Sequence, residues 1–462
     1  MRIEEEYVKT GYFWLPKNED RKIPGTLTIS NGGDIELEVV GIFDESMQAL
    51  NGNDDLSRII GHIEKDGLVT LDNCFYTIKN ISFGGISKSK VFVSRVLSGA
   101  AYDKDEPVTF NSLSFSVDCF DEWVGISGIN VNNDLENKTA TITYKPPKNI
   151  SYQLDNGMHL EICFEYTLPG YTSTTEAKIT QRAYFKLTSE DLRPLDYFTE
   201  IAYKLTNLMC FAIDATVTLN SLIAKSTEIQ INIGEGKMYP APIRIYYPSI
   251  PFSEEIPKKS RHQMLFSYDT IKYNAQDVFN NWINSYKNIA PALSLYFSTK
   301  IGAQKYIDGK FLALAQGLET YHRRTSDEKL MDSNEFDSLV SEIIEACPDK
   351  HLEWLRGRLT HGNEINFGKR LKRIIEPFKD KLGNNKERSS LLREIVDTRN
   401  YLTHYNEDLK DRAAQGTELW RLCKKMEVIL QLHFLKVIGF SDDEISSVIE
   451  NCYPLKRKIN EI

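Results

Sequence analysis

Leu391-Leu-Arg-Glu-Ile-Val-Asp-Thr-Arg399-Asn400-Tyr401-Leu402-Thr403-His404-Tyr405 is the stretch that decides how the C-terminal part of this chain is built. Leu391, Ile395, Thr398 and Leu402 recur at intervals of three and four, which places them on one face of an α-helix. The same periodicity appears at Phe311–Glu319, Phe336–Ile344, Leu371–Phe378 and Leu419–Val437, with Pro348, Gly362, Gly383 and Gly439 between the segments. Ala275–Phe297 forms a helical lead-in. β-type alternation is absent beyond about residue 300, so 300–462 reads as an all-α bundle.

The other direction along the chain reads differently. Ile35-Glu-Leu-Glu-Val-Val, Lys90-Val-Phe-Val-Ser-Arg-Val, Leu113-Ser-Phe-Ser-Val and His159-Leu-Glu-Ile-Cys-Phe-Glu-Tyr alternate apolar and polar residues. That is the pattern of half-buried antiparallel strands. Asn31-Gly-Gly and Asn156-Gly supply turns, and a helix starts behind Pro194 with Leu195, Phe198, Ile201, Leu205 and Leu208 on its inner face. Residues 1–299 therefore read as a β-rich, sandwich- or barrel-like domain with one or two helices. The whole chain is α+β with two domains, as expected for 462 residues, more than one hydrophobic core usually serves.

Composition narrows the class. A 41% hydrophobic and 26% charged chain is that of an ordinary globular protein. Its most apolar stretch, Ile201–Ala224, is interrupted by Lys204 and Asp214 and falls short of a bilayer span. Seven cysteines without a C-x-x-C pair suit reduced thiols better than zinc or a disulfide framework. The N-terminal sequence lacks the basic-then-apolar pattern of a secretory signal. A cytoplasmic protein is expected, with no membrane contact.

The formal net charge of −9 argues against general attraction to nucleic acid, but it is unevenly placed. Residues 301–462 hold 27 basic and 27 acidic side chains, so the whole deficit lies in residues 1–300. Within 350–400 the balance is 13 basic to 7 acidic. Lys369, Arg370, Lys372 and Arg373 form the densest cluster, either a solvated helix face or a phosphate-tracking patch.

Arg399, Asn400 and His404 are the catalytic candidates. Asn400 and His404, four apart, lie within about 40° of each other on a helix, and His404 points about 200° away from Leu402. Imidazole titrates near neutrality and can move a proton, and a guanidinium fork suits phosphate oxygens. Arg399 projects about 140° from His404, near the edge of the apolar stripe. It either reaches round the helix or marks a subunit interface. A second R-x-x-x-x-H match, Arg356 to His361, lies among Gly357 and Gly362 and reads as a helix end. Glu319 and His322 have E-x-x-H spacing, but without a second copy a metal site is not expected and no cofactor is implied. Glu319 is expected to pair with an arginine in the bundle. Aromatic residues such as Tyr12, Phe13, Trp14 and Trp123 read as core of the β-rich domain.

Val396-Asp-Thr-Arg-Asn-Tyr-Leu-Thr-His-Tyr405 resembles the signature of HEPN ribonucleases: arginine, a polar residue, then histidine. More narrowly, the chain resembles the ApeA family of anti-phage proteins. Leu314-Ala-Gln-Gly-Leu-Glu319-Thr-Tyr-His322-Arg323 is similar to its first HEPN helix. Gly11-Tyr-Phe-Trp-Leu-Pro, Pro24-Gly-Thr-Leu and Asp121-Glu-Trp-Val-Gly-Ile-Ser-Gly are similar to its N-terminal domain. The resemblance implies metal-independent cleavage of RNA, with tRNA the expected substrate, by a homodimer formed through the HEPN domain. It also implies abortive-infection defence, with residues 1–299 sensing a phage-encoded trigger or restraining the nuclease. Glu319 and Tyr405 are assigned supporting roles. The competing expectation is a non-catalytic HEPN scaffold that binds RNA or a protein partner.

Overall fold

The computed structural model describes residues 1–462 apart from 44–53, 81, 83–84, 171–173, 233, 235, 301, 303 and 461–462. The N-terminal alternation becomes strands with one buried face. Six of them, β1 (Tyr7–Trp14), β2 (Ile23–Ile29), β3 (Ile35–Val40), β4 (Asp55–Ile63), β5 (Gly67–Asn80) and β6 (Lys88–Ser98), pair antiparallel in the order β6-β3-β2-β1-β4-β5. β5 then pairs back onto β6, closing a six-stranded barrel and leaving it no free edge. In β3, Ile35, Leu37 and Val39 are buried and Glu36 and Val40 exposed. Phe13 is fully buried and fills the interior so closely that a Cβ on Gly61 would lie 2.6 Å from its ring. The Asn31-Gly-Gly turn joins β2 to β3, with Gly33 at φ 89°, a conformation that glycine adopts freely.

The sheet continues beyond the barrel. Its further strands are β7 (Thr109–Val117), β10 (Ile150–Gln153), β11 (His159–Thr167), β12 (Thr180–Pro194), β13 (Leu219–Lys225) and β16 (Ile243–Tyr246). They extend from β6 in the order β16-β13-β7-β12-β11-β10, also antiparallel. Two short hairpins, β8 (Ile129–Asp134) with β9 (Thr139–Tyr144) and β14 (Gln230–Asn232) with β15 (Met238–Pro240), stand apart. Helix α1 (Phe120–Val124) buries Trp123, which donates its indole N–H to the Phe266 carbonyl at 3.1 Å. Helix α2 (Leu195–Ile213) packs on β7 and β12 with the expected Leu195, Phe198, Ile201, Leu205 and Leu208 all buried. No helix among the described residues is long and apolar enough to cross a membrane.

After the short α3 (Tyr268–Ile271), helix α4 (Ala275–Ser298) crosses from one unit to the next. The chain divides into two compact units, 1–283 and 284–462, with the division inside α4. The reason is packing: Trp282 stacks on Phe211 of α2, whereas Tyr296 meets Phe434 of the helical unit. One helix thus serves two cores.

The helical unit contains α5 (Ile307–Thr325), α6 (Ser333–Glu345), α7 (Leu352–Leu359), α8 (Phe367–Ile375), α9 (Asn385–His404), α10 (Gly416–Val437), α11 (Asp442–Asn451) and α12 (Tyr453–Asn460). Its centre is α10, buried almost continuously from Met426 to Leu435. Helix α5 packs against α10, α8 and α9. Neither α6 nor α7 buries a residue, and Gly357 lies inside α7 rather than at its end.

Candidate active site

Helix α9 begins at a capping box. The Asn384 side chain accepts from the N–H groups of Lys386 and Glu387, and Glu387 returns a bond to the Asn384 N–H at 2.7 Å. Such a cap contributes about 1 kcal/mol and fixes where the helix starts. Leu391, Ile395 and Thr398 are buried, as the periodicity required, and Leu402 is half-buried. Thr398 Oγ1 accepts from the Ala414 N–H at 2.9 Å, tying the helix to the loop before α10. The far end is set by Tyr405, whose left-handed φ of 50° lets its N–H bond the Tyr401 carbonyl at 2.6 Å. His404 is therefore the last helical residue. Its imidazole is exposed and holds no hydrogen bond or ion pair among the described residues.

Arg399 is held from three sides. Its Nη1 donates to Asn400 Oδ1 at 3.2 Å, its Nη2 lies 3.7 Å from Glu319 Oε2, and its guanidinium carbon sits 5.7 Å from the centre of the Phe367 ring. The expected pairing of Glu319 with a bundle arginine is present twice, since Arg323 also approaches it at 3.2 Å. The Arg399 side chain stays about one-third exposed, so one edge of the fork faces solvent. Tyr405 is largely exposed and its ring lies 5.6 Å from that of Tyr401.

Between α8 and α9 runs a cleft of about 800 Å³, lined by Phe367, Lys372, Arg388, Arg393, Arg399 and Asn400 among others. Its two carboxylates are drawn elsewhere: Asp397 to Arg412 at 3.7 Å and Glu376 to Lys379 at 3.2 Å. Lys372 and Arg393 form no ion pair among the described residues. Arg393 escaped the sequence analysis because it lies 20 residues from Arg373. Helical phase supplied the missing signal: it precedes Asn400 by seven residues, two turns, on the same face.

The tetrad Lys369, Arg370, Lys372 and Arg373 is not exposed as one patch. Arg370 is buried at 3% exposure. Its Nε donates to the Ile365 carbonyl at 3.0 Å, its Nη2 lies 3.4 Å from Glu364, and its Nη1 donates to His322 Nδ1 at 3.3 Å. Arg373 grips Glu328 through Nη2 at 2.8 Å and Nε at 3.0 Å. Only Lys369 and Lys372 of the four are exposed without an ion pair among the described residues. Position on α8 decides it: residue 370 falls on the stripe of Phe367, Leu371 and Ile374.

His322 is likewise structural. Arginine can only donate, so His322 Nδ1 accepts and the ring proton sits on Nε2, 4.0 Å from Glu328. Burial and the Arg370 charge both push its pKa down. Among the described residues no group of His, Cys, Asp or Glu is arranged to hold a metal ion. Arg356 and His361 are exposed at the end of α7 and beyond it, His361 Nδ1 lying 3.6 Å from Glu364.

The chain thus joins a β-barrel module to a helical bundle in which an arginine, an amide and an exposed imidazole lie near the end of one helix. The model of ApeA N-terminal domain 1 matches residues 8–282, and that of the Apea-like HEPN domain matches residues 312–444. The chain belongs to the ApeA family, and its family-level role is that of a HEPN nuclease-type, anti-phage protein. No curated protein and no solved structure matches it.

Proposed function

We propose that this protein is a metal-independent RNA endonuclease that acts in abortive infection, with Arg399, Asn400 and His404 as its catalytic residues. The observation that carries the reading is the contrast at α9. Its His404 is exposed and unengaged one turn from Asn400, while His322 and His433 are buried and hydrogen-bonded and the exposed His361 lies 3.6 Å from Glu364. A histidine kept for packing is buried; one kept for proton transfer must reach substrate.

RNA carries its own nucleophile in the 2′-hydroxyl. His404 takes or returns the proton, and Arg399 stabilises charge on the phosphate oxygens. Asn400, bonded to Arg399 and one turn from His404, orients the guanidinium and leaves its amide N–H₂ for a phosphate oxygen. Lys372 and Arg393 lead the backbone along the α8–α9 cleft. Products carry a 2′,3′-cyclic phosphate and a 5′-hydroxyl. The active form is a homodimer in which two copies of α9 share the substrate, tRNA is the RNA class attacked, and the barrel module senses a phage-encoded trigger.

The test is incubation of purified protein with tRNA in EDTA beside His404→Ala, before and after addition of lysate from phage-infected cells. Cleavage by the wild type alone supports the reading. Equal cleavage by both proteins, or cleavage only with added divalent metal, sinks it.

A further inference from the structure

A second charged centre lies in the helical unit, and none of its residues lines the α8–α9 cleft. Glu427 of α10 is fully buried, and four ammonium groups converge on it from separate segments. Lys310 Nζ of α5 lies 3.0 Å from Oε1. Lys424 of α10, Lys458 of α12 and Lys300 behind α4 lie 3.3, 3.3 and 3.5 Å from Oε2. Burial alone would raise the Glu427 carboxyl, but the four lysines together outweigh it and hold it well below the usual carboxylate range.

One ammonium would neutralise this carboxylate. Lys310 and Lys424 already outnumber it, and three nitrogens sharing one oxygen lie within about 7 Å of one another, where like charges repel. The consequence shows at Lys424, whose pKa is pushed down by burial, with Lys310, Lys458 and Lys300 adding to it against Glu427. The four lysine side chains keep between 14% and 23% of their surface exposed.

The second observation is Trp420. It stands one turn before Lys424, 44% exposed, with its ring centre 5.7 Å from the Lys424 ammonium. An exposed indole offers a stacking face to any base, and lysines offer point charges to phosphate oxygens. We propose that Lys300, Lys310, Lys424 and Lys458, held in place by Glu427, grip the phosphates of a nucleoside polyphosphate whose base stacks on Trp420. Three of these lysines lie outside residues 312–444, the span matched by the HEPN family model. Because the ligand joins α5, α10 and α12, its occupancy stabilises the helical unit.

Calorimetric titration of the full-length protein with ATP and with inorganic tripolyphosphate tests this. Wild type is compared with Lys424→Gln/Lys458→Gln, with Trp420→Ala and with His404→Ala. Both ligands are expected to bind saturably, and the double lysine variant to weaken both about tenfold or more. Trp420→Ala is expected to weaken ATP about fivefold and leave tripolyphosphate unchanged, since stacking serves the base alone. His404→Ala changes neither. If the double variant does not fold, the Trp420→Ala discrimination between the two ligands decides. Absence of saturable binding, binding indifferent to the lysines, or equal loss of both ligands in Trp420→Ala overturns the proposal. So does a short RNA binding there while ATP does not.

Discussion

Two arginine-bearing helices pack against each other in the helical unit, α8 with Arg370 and Arg373 and α9 with Arg393 and Arg399. In sequence α8 looks the more basic. In the fold its two arginines are neutralised, Arg370 by Glu364 and Arg373 by Glu328, a residue 45 positions away. On α9, Arg393 stays without an ion pair among the described residues, and Arg399 meets Glu319 from one side while its fork stays partly exposed. Counting charge therefore locates basic segments but not available cations. Availability depends on which carboxylates the bundle folds against each helix.

The largest effect expected from this comparison is at α9. Arg399→Ala and His404→Ala should each lower RNA cleavage by about 10³-fold with folding intact, checked by single-turnover assay beside circular dichroism. On α8 the expectation is the reverse. Arg370→Ala should cost about 2 kcal/mol in denaturant unfolding of the helical unit, because it leaves the Ile365 carbonyl and His322 Nδ1 without their buried donor. Arg373→Ala, at an exposed pair, should leave stability unchanged within error. If Arg370→Ala is as mild as Arg373→Ala, the division between the two helices fails.

The buried histidine of α10 gives a pH signature. His433 Nε2 donates to the Ile374 carbonyl at 2.8 Å, and burial pushes its pKa down from 6.5 to about 4. The unfolded chain then binds the extra proton between those values, so stability falls as pH drops from 6.5 toward 4. The loss is on the order of 2–3 kcal/mol. His433→Gln should flatten that part of a thermal melting series; an unchanged slope would remove His433 as its source. The smallest effect is on binding. Lys372→Ala/Arg393→Ala should weaken RNA several-fold and reduce the slope of log affinity against log salt by roughly 1.5. Arg370 and Arg373 should contribute none of that slope.

Much of this was legible beforehand because it rests on local periodicity. The stripe Leu391, Ile395, Thr398 predicted α9 and sent His404 outward, and the alternation of Ile35–Val40 predicted a strand with one buried face. What stayed hidden depends on distant partners. Barrel closure requires β5 to pair with both β4 and β6, which no single strand encodes. Which aromatic residues receive Trp282 and Tyr296 of α4 is likewise not written in that helix, since Phe211 and Phe434 lie far off in the chain. At the candidate site, the motif was readable, but the inward turn of Arg370 and the recruitment of Arg393 to the cleft needed the packing of α8 on α9.

In the proposed reaction the 2′-hydroxyl is the nucleophile, which is why arginine, amide and imidazole would suffice. The most direct measurement maps the cleavage position in an RNA oligonucleotide, then repeats the assay in EDTA with one 2′-deoxy substitution on the 5′ side of that bond. Cleavage at that bond is expected to disappear while unsubstituted RNA yields a 2′,3′-cyclic phosphate. Cleavage of the substituted bond at an equal rate would contradict the proposed reaction.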